Sequence, residues 1–216
     1  MIRPVSLGRR GLLATAAATA AALVAPAPLD SAAAQAAGDP AAVVERFHAV
    51  LLDVMRSARQ LGTQGREQRL RPAMQAAFDL PAMARIAVGP AWTRMTPAQQ
   101  AAIMQAFADW SVATYAARFD GYSGETFTTQ GETELRNGDR LVRTTLNRTG
   151  GEPPVQLNYL MRRTGGDGWK IVDLYLTGTI SELASRRAEF TAILRDGGPE
   201  RLVAELRRRT DALLRG

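Results

Sequence analysis

At Gly121 the hydrophobic period of the chain changes, and this switch points to an α+β fold. Upstream, apolar residues recur at three- and four-residue steps, as one face of a helix requires. Over residues 125–177 they fall instead into four strand-like segments separated by turn chemistry. Segment 126–136 ends at Asn137-Gly138, a dipeptide suited to the left-handed backbone of a tight hairpin. Segments 141–148 and 155–163 end at Gly150-Gly151 and at Gly165-Gly166-Asp167-Gly168, and 169–177 closes the set. In the third, Val155, Leu157, Tyr159 and Met161 alternate with Gln156, Asn158 and Arg162, giving one apolar and one polar face. The fourth carries Val172, Leu174 and Leu176 with Trp169, Ile171 and Tyr175 opposite, the pattern of a strand covered on both sides and hence central. The expectation is an antiparallel four-stranded meander packed with N- and C-terminal helices.

The helices announce themselves by their ends. Asp39-Pro40 supplies an N-cap and a proline at the first helical position, and Gly62 and Gly65 are read as the stop. Between them Val43, Phe47, Val50, Val54 and Ala58 form one apolar face, flanked by Val44, Leu51 and Met55. A polar helical stretch over 66–78 is weakened by Pro72. Asp79 caps a short helix over 80–88, and Gly89-Pro90 ends it. Thr96-Pro97-Ala98-Gln99 is a capping box, and the helix behind it carries Ile103, Met104, Phe107, Trp110, Tyr115 and Phe119 over about half its circumference. Thr179 and Glu182 read as a second capping box for a helix burying Ile180, Leu183, Ala184, Phe190 and Leu194. Gly197-Gly198-Pro199 divides that helix from a last one with Leu202, Val203, Leu206 and Leu213 inward.

The first residues stand outside this scheme. Arg3, Arg9 and Arg10 precede an uncharged run over 12–25, and small-residue sites follow at Ala32-Ala33-Ala34 and Ala34-Gln35-Ala36. That order is a secretory signal peptide over 1–36, with an apolar run short for a membrane span. Arg9-Arg10 is compatible with the general and the twin-arginine export routes alike. Residues 37–216 are then one domain, expected in the periplasm and soluble. The chain has no cysteine, which excludes disulfides, thiolate metal sites and cysteine nucleophiles. Its formal charge of +6 comes almost wholly from arginine, Lys170 being the only lysine. No basic stripe with interleaved aromatics suggests nucleic acid as a partner.

Catalytic constellations are equally scarce. The one histidine, His48, lies beside Phe47 in the first helix, and there is no Gly-x-Ser-x-Gly elbow and no strand-to-helix glycine loop. No cofactor and no metal site is expected. Asp173, on the strand read as central, is the best acid, and its expected role is structural. Arg187 projects beside Leu183 and Ala184, so Asp173 and Arg187 are expected to form a buried ion pair joining sheet to helix. Met83, Ile86, Val88, Trp92, Phe107 and Trp110 also present a large apolar surface to the sheet face of Leu157, Tyr159 and Met161. By periodicity alone this is an ordinary filled core.

Phe78-Asp79-Leu80-Pro81, Gly89-Pro90-Ala91-Trp92, Thr96-Pro97-Ala98-Gln99-Gln100, Phe107 and Thr114-Tyr115-Ala116 together resemble the toluene-tolerance, or MlaC-like, family of periplasmic lipid carriers. Gly168-Trp169-Lys170-Ile171-Val172-Asp173 through Gly178, with Ser181 and Arg187 to Phe190, resembles that family's C-terminal signature. The form Gly178-Thr179-Ile180-Ser181-Glu182-Leu183 followed by Arg186-Arg187-Ala188-Glu189-Phe190 is closest to the hopanoid-biosynthesis-associated HpnM branch. The resemblance covers residues 40–214 and implies an NTF2-like/MlaC-like fold: a mixed sheet wrapped by helices around an apolar pocket. It further implies a non-enzymatic monomer that carries phospholipid or hopanoid between inner and outer membrane, handing it to membrane-anchored lipid-transport complexes. Met83, Ile86, Val88, Trp92, Phe107, Trp110, Leu157, Tyr159 and Met161 are the expected lining of the lipid pocket, with Arg85 or Arg94 at its mouth. Two alternatives stay open: a lipid-free adaptor of a membrane complex, and an NTF2-like enzyme using Asp173 as an acid.

Overall fold

The computed structural model describes residues 38–165, 168–177 and 179–215. The expected signal peptide lies outside the described residues. Helix α1 (Pro40–Arg56) begins as its sequence requires, with Asp39 accepting from the Ala41 amide at 2.9 Å and Pro40 where no donor is needed. It buries Val43, Val44, Phe47, Leu51, Val54 and Met55, and breaks at Ser57. Gly62 does interrupt the helical run, as expected: helix α2 (Ala58–Ala77) is two helical pieces that meet there, where φ is 60° and ψ −179°, whereas Gly65 lies within the second piece and stops nothing. Arg66 holds this stretch from inside: only 6% exposed, it donates to Ala116 O, Ala58 O and Thr63 Oγ1 at 2.7, 3.1 and 3.2 Å. A guanidinium so placed serves the free carbonyls at a helix C-terminus and needs no carboxylate.

Helix α3 (Leu80–Val88) is capped by Asp79, whose carboxylate accepts from Ala82 N at 2.9 Å, and a 3₁₀ turn follows over Gly89–Arg94. Helix α4 (Pro97–Arg118) opens with both halves of the expected box, Gln99 N to Thr96 Oγ1 at 3.2 Å and Thr96 N to Gln99 Oε1 at 2.9 Å.

Strands β1 (Thr126–Glu134), β2 (Arg140–Asn147), β3 (Val155–Thr164) and β4 (Gly168–Leu176) form the meander, and a fifth strand, β5 (Ile180–Ser181), adds to β4. The sheet is antiparallel from β1 to β5, not mixed, and holds five strands where four were expected. Asn137-Gly138 turns the first hairpin, Asp139 being held there by Asn137 and by two bonds from Arg162. Strand β4 is not central: beyond it lies only the two-residue β5. Its burial has another source. A parallel bridge pairs Phe78 with Ile171, Asp79 N donates to Ile171 O, and α5 (Glu182–Arg215) packs alongside. Two apolar faces thus report cover above and below a strand and do not fix its place in the sheet order.

Helix α5 contains both expected C-terminal helices, joined across a kink at Gly197 and Gly198. Its first turn is served by Ser181, which accepts from Ala184 N at 3.0 Å, in place of the expected Thr179. Among the described residues no helix is long and apolar enough to cross a membrane.

Candidate functional site

The register fixes which side chains share the inner sheet face. Val142 faces Tyr159, which faces Leu174; Thr144 faces Leu157, which faces Leu176. Opposite them stand α4, with Phe107 and Trp110 inward, and α3, with Leu80 and Met83. Between sheet and helices is a cavity of about 120 Å³. Met74, Phe78, Leu80, Met83, Phe107, Leu157, Tyr159 and Leu174 form its inner wall, all of them buried. Arg118, Phe119, Leu176, Glu182 and Arg186 line the same cavity and are half-buried or exposed, so the mouth lies where the end of α4 meets β4 and the start of α5.

Met83, Phe107, Trp110, Leu157 and Tyr159 therefore stand in the wall of one cavity, as the sequence places them. Ile86, Val88, Trp92 and Met161 do not. Met161 is packed solid at 0% exposure, Val88 faces a separate surface groove with Arg94 and Leu194, and Trp92 sits half-buried in the 3₁₀ turn. Nor do Arg85 and Arg94 stand at the mouth, where Arg118 and Arg186 are found instead. Strand alternation made Leu157 and Tyr159 legible. The short helix is apolar nearly all round, so its sequence does not say that Met83 lines the cavity while Ile86 and Val88 do not.

The expected ion pair is not formed. Arg187 donates through Nε and Nη2 to Ile86 O at 3.0 and 2.7 Å, laid across Gly89. Asp173 turns to the opposite task. Its Oδ1 accepts from Leu174 N at 2.8 Å and Leu183 N at 3.2 Å, and its Oδ2 from Ser181 Oγ at 2.6 Å. The carboxylate thus anchors the positive end of α5 to the sheet, and a helix N-terminus satisfies an acid as well as a guanidinium does. Asp173 is not part of the cavity wall.

Polar groups under the cavity floor are paired. His48 Nε2 and the Tyr159 hydroxyl lie 2.9 Å apart, with the imidazole stacked on Phe127 at 3.8 Å. Burial pushes the His48 pKa down to about 3, so the ring is neutral and accepts the phenol proton. Between pH 6.5 and 3 the unfolded chain holds a proton that the folded chain refuses, so stability is full above pH 6.5 and declines as the pH falls. We expect unfolding free energy to drop by about 2 kcal/mol from pH 7 to pH 5, measured by urea denaturation, and His48→Gln to flatten that slope. An unchanged slope in the variant contradicts the assignment.

Among the described residues no cluster of histidine, aspartate and glutamate is arranged to hold a metal. A family model for MlaC protein matches residues 45–208. The fold is also similar to that of a phospholipid-binding protein from Ralstonia solanacearum, solved in complex with a phospholipid. The TM-score is 0.71 at 25% identity, over 81% of this chain and 98% of that one.

Proposed function

This chain belongs to the MlaC protein family, and from that premise we propose that it is a periplasmic lipid carrier that moves phospholipid between the inner and outer membranes. The reading rests above all on the cavity: an apolar space between sheet and helices, open at one end, in a fold shared with a protein that holds a phospholipid. Each methylene transferred from water into such a wall contributes about 0.8 kcal/mol, so a two-chain lipid is retained without any chemical step. The carrier needs only a partner that competes for the tails, which we propose to be membrane-anchored lipid-transport complexes. Residues 1–36 act as the export signal in this account, and the carrier is the remaining domain.

At about 120 Å³ the cavity is smaller than the roughly 300–1,000 Å³ of common ligand sites, so lipid entry requires its walls to part. Met74 and Met83 suit that demand, because an unbranched thioether adapts its shape at little cost. Release then begins as the walls close. The test is transfer of a fluorescent phospholipid between donor and acceptor vesicles. The expected result is a rate that rises with the concentration of the chain over 37–216; a rate no faster than spontaneous exchange contradicts the proposal.

A further inference from the structure

Around the cavity the polar side chains find partners one after another until two are left. Ser111 Oγ donates to Phe107 O at 2.7 Å, and Thr114 Oγ1 to Trp110 O at 2.8 Å. Tyr159 is bonded to His48. Arg186 lies between Glu182 and Glu189, at 3.5 and 3.4 Å, with its guanidinium 4.7 Å above the Trp110 ring. The remaining two are the Tyr115 hydroxyl, without a hydrogen-bond partner among the described residues, and the Arg118 guanidinium, without an ion pair among them.

These two are one helical turn apart on α4, and both line the cavity. The Tyr115 ring is fixed by edge contacts with Phe47 and Phe78 and by stacking on Phe119 at 5.6 Å, so its hydroxyl has little freedom. That hydroxyl feels the charges of both Arg118 and Glu182, and burial pushes its pKa up, which keeps it a neutral donor. Arg118 is exposed and sits where apolar wall gives way to solvent. A neutral donor just inside the mouth and a cationic fork at its edge reproduce the order of groups along a diacyl phospholipid: tails, ester carbonyls, phosphate. A guanidinium binds phosphate through paired hydrogen bonds, and a polycyclic alcohol offers it nothing comparable.

We propose that Tyr115 and Arg118 form a subsite for the ester and phosphate groups of a diacyl lipid, so that the carrier favours a phosphate-bearing cargo over a neutral one with the same tails. The proposal rests on the lipid-carrier reading, and its test separates the two. Binding of a fluorescent-tailed phosphatidylglycerol and of the diacylglycerol with identical tails is measured for the parent, Arg118→Gln and Tyr115→Phe. Arg118→Gln is expected to weaken phosphatidylglycerol about tenfold and leave diacylglycerol unchanged, the loss of one charge-assisted contact. Tyr115→Phe, which keeps the ring packing, is expected to weaken both lipids several-fold. An Arg118→Gln protein with the parent's preference overturns the subsite while the carrier reading stands; a folded parent that binds neither lipid overturns both. Inorganic phosphate at millimolar concentration should not displace phosphatidylglycerol, and displacement means an anion site independent of lipid.

Discussion

Leu157→Trp is expected to weaken phospholipid binding about two hundredfold in a protein that still folds. Leu157 faces the cavity from near the start of β3, and it is 6% exposed. An indole there occupies the space between sheet and helices, where the first tail segment would lie. If about four methylenes are shut out, the loss is near 3 kcal/mol, or about two hundredfold in affinity. Stability should change by no more than about 1 kcal/mol, because filling a cavity offsets the strain of the larger ring. Tryptophan is also at home on a half-buried strand. Trp92→Leu is the informative control: that ring lies outside the cavity wall, and its removal should leave binding within about twofold. A well-folded Leu157→Trp protein that binds like the parent contradicts the cavity assignment.

Asp173→Ala is expected to cost about 4 kcal/mol of folding stability. Three donors converge on this carboxylate: the amides of Leu174 and Leu183 and the Ser181 hydroxyl. Each loses a bond to a charged acceptor, and hydrogen bonds of that kind contribute roughly 1.5–3 kcal/mol apiece, with partial rescue by water. Asp173→Asn should fall between, at about 1–2 kcal/mol, since the amide oxygen still accepts while the charge facing the helix terminus is gone. Thermal unfolding of the two variants distinguishes this anchor from an acid catalyst. A catalytic role predicts unchanged melting in Asp173→Asn, whereas the anchor predicts a graded loss.

What the chain discloses in one dimension is set by how local the cause is. The Thr96–Gln99 box and the Asp39 and Asp79 caps were legible because donor and acceptor lie within three residues. The strands were legible because alternation is local too. Gly62 was legible as a break for the same reason, but the contact that holds the next helical piece, Arg66 reaching Ala116 across fifty residues, was not. A lone arginine in a polar stretch gives no sign that it is buried. Asp173 was rightly singled out as a buried acid needing partners, but one strand amide, one helix amide and a serine hydroxyl supply them, while Arg187 is exposed and lies on a backbone carbonyl instead of being buried. The mouth of the cavity was hidden for a related reason. Tyr115 reads as one more member of an apolar stripe, and Arg118 as a solvated helix end, until β4 and α5 are seen to line the same cavity.

The central claim is that the space between sheet and helices is built for lipid tails. It is tested most directly by purifying the chain over 37–216 without detergent, extracting it with organic solvent and identifying the extract by mass spectrometry. The account predicts about one two-tailed, phosphate-bearing lipid per chain. An extract with no lipid, or with only a phosphate-free polycyclic one, taken from protein shown to be folded, contradicts it.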